Sequence, residues 1–97
     1  MSGYNLILSR NQEVGIIYRN IYFLNDVFSD IEDDYNIIRL VNSKMNKFII
    51  FVTYIPPNEE HDNRLSLLIE KLILLKRRYN NLKLVLFGDL NINLEDL

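Results

Sequence analysis

The stretch Phe48-Ile49-Ile50-Phe51-Val52-Thr53-Tyr54 decides the reading of the fold. It is almost continuously apolar and rich in β-branched and aromatic residues, which predicts a strand, Lys47–Ile55, covered on both faces. Pro56-Pro57 stops it, because proline donates no backbone hydrogen bond. After a polar stretch, Asp62 or Asn63 is placed to cap a helix. Leu65, Leu68, Leu72, Leu75 and Tyr79 then recur at three- and four-residue steps, one face of a helix. Leu67 and Leu74 fall off that stripe, which predicts cover on more than one side. Lys76, Arg77 and Arg78 suit the last turn, where cations oppose the helix dipole. Asn80-Asn81 ends the helix. Lys83–Phe87 reads as a further buried strand, broken by Gly88. A strand, a helix and a strand of these lengths belong in one sheet, so the fold class is mixed α/β with at least one covering helix.

Upstream, Tyr4–Leu8 reads as a strand and Ser9–Gln12 as a turn. Val14–Tyr18 reads as a buried strand, and Ile21–Phe28 as the second strand of a hairpin after Arg19-Asn20. Ile37–Val41 is a strand separated from Lys47–Ile55 by Asn42-Ser43-Lys44-Met45-Asn46, a polar stretch of hairpin-loop length.

Ninety-seven residues hold one domain, and 48% hydrophobic against 25% charged residues argues against wholesale disorder. No run approaches the roughly 18 consecutive apolar residues of a membrane-spanning helix. There are no cysteines, which excludes a disulfide scaffold and a cysteine-ligated metal. Met1-Ser2-Gly3-Tyr4 shows no basic region leading into an apolar core, and with no disulfides this points to an intracellular location, the nucleus among the options. A net charge of −2 disfavours a chain that holds nucleic acid by its overall field. Acids cluster at Asp30, Glu32, Asp33 and Asp34, and bases at Lys76, Arg77 and Arg78. These read either as solvated surface or as cation-binding and phosphate-contacting groups.

Three residues stand where chemistry is favoured. Asp89 follows an apolar strand directly after Gly88, and Asn91 comes two residues later. Strand ends present side chains at a rim while the strand holds them rigid. A carboxylate there can accept a proton from water or hold the water in line for attack, and an amide can donate to a phosphate oxygen. The same residues are also common turn chemistry. Tyr54 ends the preceding strand, where its phenol can reach an anionic oxygen or simply lie packed with its hydroxyl wet. His61, the only histidine, sits in a polar, loop-like stretch beside Asp62 and reads as solvated.

Taken together, Thr53-Tyr54-Ile55-Pro56-Pro57-Asn58, the amphipathic helix, Leu84-Val85-Leu86-Phe87 and Gly88-Asp89-Leu90-Asn91 resemble the endonuclease/exonuclease/phosphatase superfamily. The nearest likeness is to the apurinic-type endonuclease domains of non-LTR retrotransposons. Gly3-Tyr4-Asn5-Leu6 and Val14-Gly15-Ile16-Ile17-Tyr18-Arg19 are similar to the hairpin that follows the family's first catalytic motif. The resemblance implies part of a four-layer α/β sandwich and Mg²⁺-dependent phosphodiester hydrolysis, with DNA as substrate. It implies that Tyr54 contacts the scissile phosphate, that Asp89 orients or deprotonates the attacking water, and that Asn91 positions that aspartate and the phosphate. The family's metal-ligating glutamate would lie upstream of Gly3-Tyr4, and its aspartate–histidine pair beyond Leu97. Glu13 stands in a turn and is no convincing substitute, and His61 lies in the wrong segment. Residues 1–97 therefore read as a single partial domain with little or no nuclease activity alone and with exposed apolar surface that drives self-association or partner binding. The competing readings are a non-catalytic interaction protein using that sheet, and a generic α/β domain with a chance Gly-Asp-Leu-Asn.

Overall fold

The computed structural model describes residues 3–92. Strands β1 (Tyr4–Leu8) and β2 (Gly15–Arg19) form an antiparallel hairpin of their own. Strands β3 (Phe23–Asn25), β4 (Asn36–Asn42), β5 (Lys47–Tyr54) and β6 (Lys83–Asp89) form a second sheet in that order, and the helix α1 (His61–Arg78) connects β5 to β6. The pairings β3–β4 and β4–β5 are antiparallel, and β5–β6 is parallel, as a strand–helix–strand crossover requires. The content is mixed α/β.

Alternation along β5 sorts the two faces of this sheet. Ile49 and Phe51 join Ile38 of β4 and Leu68 and Leu75 of α1 in the buried core, with Leu65, Leu72 and Tyr79 packed against it. The leucine stripe is thus the seam between helix and sheet. Leu67 and Leu74 are exposed, so among the described residues the helix is covered on one side only. The other sheet face carries Phe48, Ile50, Val52 and Tyr54, all half-buried rather than covered. A groove of about 290 Å³ between it and the β1–β2 hairpin is lined by Ile16, Tyr18, Val41, Phe48 and Ile50.

Three strand expectations are corrected. Val14–Tyr18 is not a buried strand: Ile16 alone is buried, and Ile17 is 61% exposed, because its hairpin has one free face. Ile21–Phe28 does not pair with it: β2 pairs with β1, and the three-residue β3 pairs with β4. The rest of that segment leaves the sheet, and Phe28, fully buried, meets the Tyr79 ring edge-on at 5.5 Å. Lys83–Phe87 is not buried either: β6 has a neighbour on one side among the described residues, and Phe87 is 53% exposed.

The acids are ion-paired, with Asp30 and Asp34 at the exposed surface, as expected of solvated groups, and Glu32 and Asp33 half-buried. Asp30 pairs with Arg78, Glu32 with Arg39, Asp33 with Lys71 and Asp34 with Arg10. The loop that plugs Phe28 and Ile31 into the core is thereby clamped to α1, to β4 and to the turn after β1.

Candidate functional site

The C-terminal ends of β5 and β6 lie side by side, and the register places Tyr54 opposite Asp89. Paired residues of a parallel ladder project from one face, and Thr53, the alternate neighbour of Tyr54, is buried on the helix side. Tyr54 and Asp89 therefore share the face away from α1. The pairing continues one step beyond the strand, where the Ile55 N–H donates to the Asp89 carbonyl oxygen (3.0 Å).

Gly88 makes the junction possible. Its φ is +144°, and a Cβ there would stand 1.8 Å from the Thr53 carbonyl oxygen, so the close approach of β6 to β5 admits no side chain. Asn91, with φ of +49°, then turns the chain back. Its backbone N–H donates to Asp89 Oδ1 (2.9 Å) and its side-chain Nδ2 donates to the Ile55 carbonyl oxygen (2.7 Å). Asn91 thus holds Asp89 through its main chain and ties β6 to the end of β5 through its amide. Asp89 is exposed and belongs to no ion pair among the described residues.

Helix α1 braces the same rim. It begins at His61, not after a cap at Asp62 or Asn63, and Glu60 at the cap makes no side-chain capping bond. Asn58 supplies the turn instead: its Oδ1 accepts from the Glu60 N–H (2.9 Å) and its carbonyl from the His61 N–H (3.0 Å). Arg64, one turn on, donates to the Tyr54 carbonyl oxygen (3.0 Å) with its guanidinium over the Tyr35 ring, 3.9 Å from the centroid.

His61 is the participant that sequence reasoning passed over. It is not a solvated loop residue: its side chain is 19% exposed and its Nε2–H donates to the Leu90 carbonyl oxygen (2.7 Å), between Asp89 and Asn91. That carbonyl raises the imidazole pKa above 6.5, since it accepts from the protonated ring, and Asp62, 3.4 Å from Nδ1, adds to the shift against an opposing cost of burial. The hint available in the sequence was position alone, since a helix following β5 must start at the strand end where β6 also terminates.

The arrangement places a phenol and a carboxylate on one face at the ends of neighbouring strands. Among the described residues no group of three or more His, Asp or Glu side chains is placed to hold a metal. A cavity of about 260 Å³ lined by Tyr35, Thr53, Ile55, Arg64 and Lys71 opens on the helix side and includes neither Tyr54, Asp89 nor Asn91. No protein-family model matches the chain, and neither the curated proteins nor the solved structures hold a match.

Proposed function

We propose that the chain carries the water-orienting part of a phosphodiester hydrolase site of the endonuclease/exonuclease/phosphatase kind, related to retroelement endonucleases and directed at DNA. The supporting observation is the register that sets Tyr54 against Asp89, with Asn91 bonded to both strand ends. Asp89 accepts a proton from, or orients, the attacking water, the Tyr54 phenol donates to a phosphate oxygen, and Asn91 fixes the carboxylate. The hairpin that faces the sheet across the groove lined by Ile16, Tyr18, Val41, Phe48 and Ile50 supports the reading of part of a four-layer sandwich. Mg²⁺, which the resemblance implies, would neutralise the phosphate when bound.

The test is nicking of supercoiled plasmid containing abasic sites, with Mg²⁺ and with EDTA. Mg²⁺-dependent nicking that disappears in Asp89→Asn supports the reading. No nicking at high protein concentration reduces the reading to ancestry, and nicking that Asp89→Asn leaves intact removes it. Exposed Leu86 and Phe87 favour a second reading, a non-catalytic interaction protein that works through the β6 side of the sheet.

A further inference from the structure

The two edges of the four-stranded sheet are built differently. β3 is three residues long, too short to template another strand well. β6 runs seven residues, Lys83-Leu84-Val85-Leu86-Phe87-Gly88-Asp89, and among the described residues it pairs with β5 alone. It carries no proline and no charge between its ends, so none of the usual devices blunts it. Its exposed apolar side chains, Leu86 and Phe87, lie in the same strand.

The charges say what this edge fits. A cation stands at its first residue and an anion at its last, and neither belongs to an ion pair among the described residues. Laid antiparallel on a copy of itself with Leu86 on the two-fold axis, the strand sets Lys83 opposite the partner's Asp89 and Val85 opposite the partner's Phe87. The first is an opposite-charge cross-strand pair and the second an aromatic–β-branched pair, both favourable. Opposed residues share parity, so the outward row of backbone groups on one copy meets the outward row on the other. Sliding the register by two residues puts Lys83 opposite Phe87 or Asp89 opposite Val85, and a parallel arrangement puts Lys83 on Lys83. One register alone satisfies charge and apolar contacts together.

We propose that two copies of this chain pair through β6 in that antiparallel register, joining their sheets into one of eight strands with the short β3 at each outer edge. The interface is isologous. It rests on strand geometry and not on the hydrolase reading, though it engages Asp89 with a cation of the other copy.

The chain has no cysteine, so one introduced thiol reports directly. Leu86→Cys places the two sulfurs across the axis, within disulfide reach, and mild oxidation should link most of the protein as a covalent dimer. Leu84→Cys places its thiols about 13 Å apart and should not link. In light scattering the unmodified chain should run at twice 11.6 kDa. Lys83→Glu should weaken the dimer about tenfold, and Lys83→Glu with Asp89→Lys should restore it. The proposal is overturned by a monomer at tens of micromolar, by equal cross-linking at positions 84 and 86, or by a dimer that the Lys83 reversal leaves unchanged. Circular dichroism of the Lys83→Glu variant, altered at an exposed strand end, separates lost pairing from lost folding.

Discussion

Two places in this molecule hold carboxylates, four in a loop and one at a strand end, and they treat them in opposite ways. In the loop from Asp30 to Asp34 every acid has a cation: Arg78, Arg39, Lys71 and Arg10 each take one. At the strand-end rim, Asp89 accepts one backbone N–H and faces outward beside Tyr54 with no cation among the described residues. The loop spends its charge on holding Phe28 and Ile31 in the core. The rim uses backbone hydrogen bonds and a glycine to hold one carboxylate, whose charge has no partner among the described residues of its own chain. A paired acid is a structural fastener, and a rigidly held unpaired one is available for proton transfer.

The sharpest way to break the comparison is to remove each carboxylate's charge and ask what is lost. Asp89→Asn keeps the oxygen that accepts from the Asn91 N–H, so stability should move by less than about 0.5 kcal/mol, while any Mg²⁺-dependent nicking should fall at least about 100-fold. Glu32→Ala should do the reverse. Its Oε1 lies 2.6 Å from Arg39 and accepts the Ile38 N–H at 2.8 Å, with the two side chains only 12% and 13% exposed. Its removal leaves the mostly buried guanidinium with the Ile38 carbonyl oxygen (2.9 Å) and the half-exposed Asp26 (3.8 Å), and should cost about 2 kcal/mol in urea denaturation. Glu32→Gln, which retains the Ile38 acceptor, should cost less. A Glu32→Ala variant as stable as the parent, or an Asp89→Asn variant that loses several kcal/mol, would reverse the assignment of fastener and tool.

How far the sequence reaches follows the same division. The β5–α1–β6 unit is legible because its signals are local and repeated: an apolar run from Phe48, a leucine stripe, a second apolar run ending at Gly88. The Tyr54–Asp89 pairing follows from two such runs placed in one sheet. Phe28 is different. Nothing around it is periodic, and its apolar neighbours imitate a strand, whereas its place is fixed by Tyr79 and by ion pairs to distant bases. Cover is a long-range property as well: Leu84–Phe87 has the composition of a buried strand but lies at an edge. His61 meets Leu90, 29 residues away, through one hydrogen bond that leaves no trace in composition or spacing.

Gly88→Ala tests whether the rim depends on the close approach of its two strands. The added Cβ meets backbone at Thr53 and the residue sits at positive φ, so about 2 kcal/mol should be lost, together with the Tyr54–Asp89 register. An unchanged urea midpoint would show that β6 can retreat without consequence.

His61 offers a reversible version of that test. Its folded-state pKa is raised above the unfolded 6.5, so the stability it adds is fully present below 6.5 and declines as pH rises through the folded value. The neutral ring can still donate from Nε2 to Leu90, so the decline is partial. An NMR titration should place the imidazole midpoint above 6.5, and the small fall in stability as pH rises above 6.5 should vanish in His61→Gln. A midpoint at or below 6.5 would mean that the Leu90 contact does not hold in solution.

The smallest effect belongs to the loop's outermost fastener, and it sets the limit of the comparison. Arg10 and Asp34 are 3.3 Å apart with side chains 62% and 57% exposed, so solvent screens them and two mobile side chains must be ordered to meet. Asp34→Asn should change stability by no more than about 0.5 kcal/mol, and added salt should abolish even that. The fixed point of this contact is the neighbouring backbone bond from the Asn11 N–H to the Asp34 carbonyl oxygen (3.1 Å), which the substitution preserves. If Asp34→Asn instead cost as much as Glu32→Ala, burial would not be what separates a fastener from a surface charge in this loop, and the exposure of Asp89 would no longer be a reason to expect its removal to be tolerated.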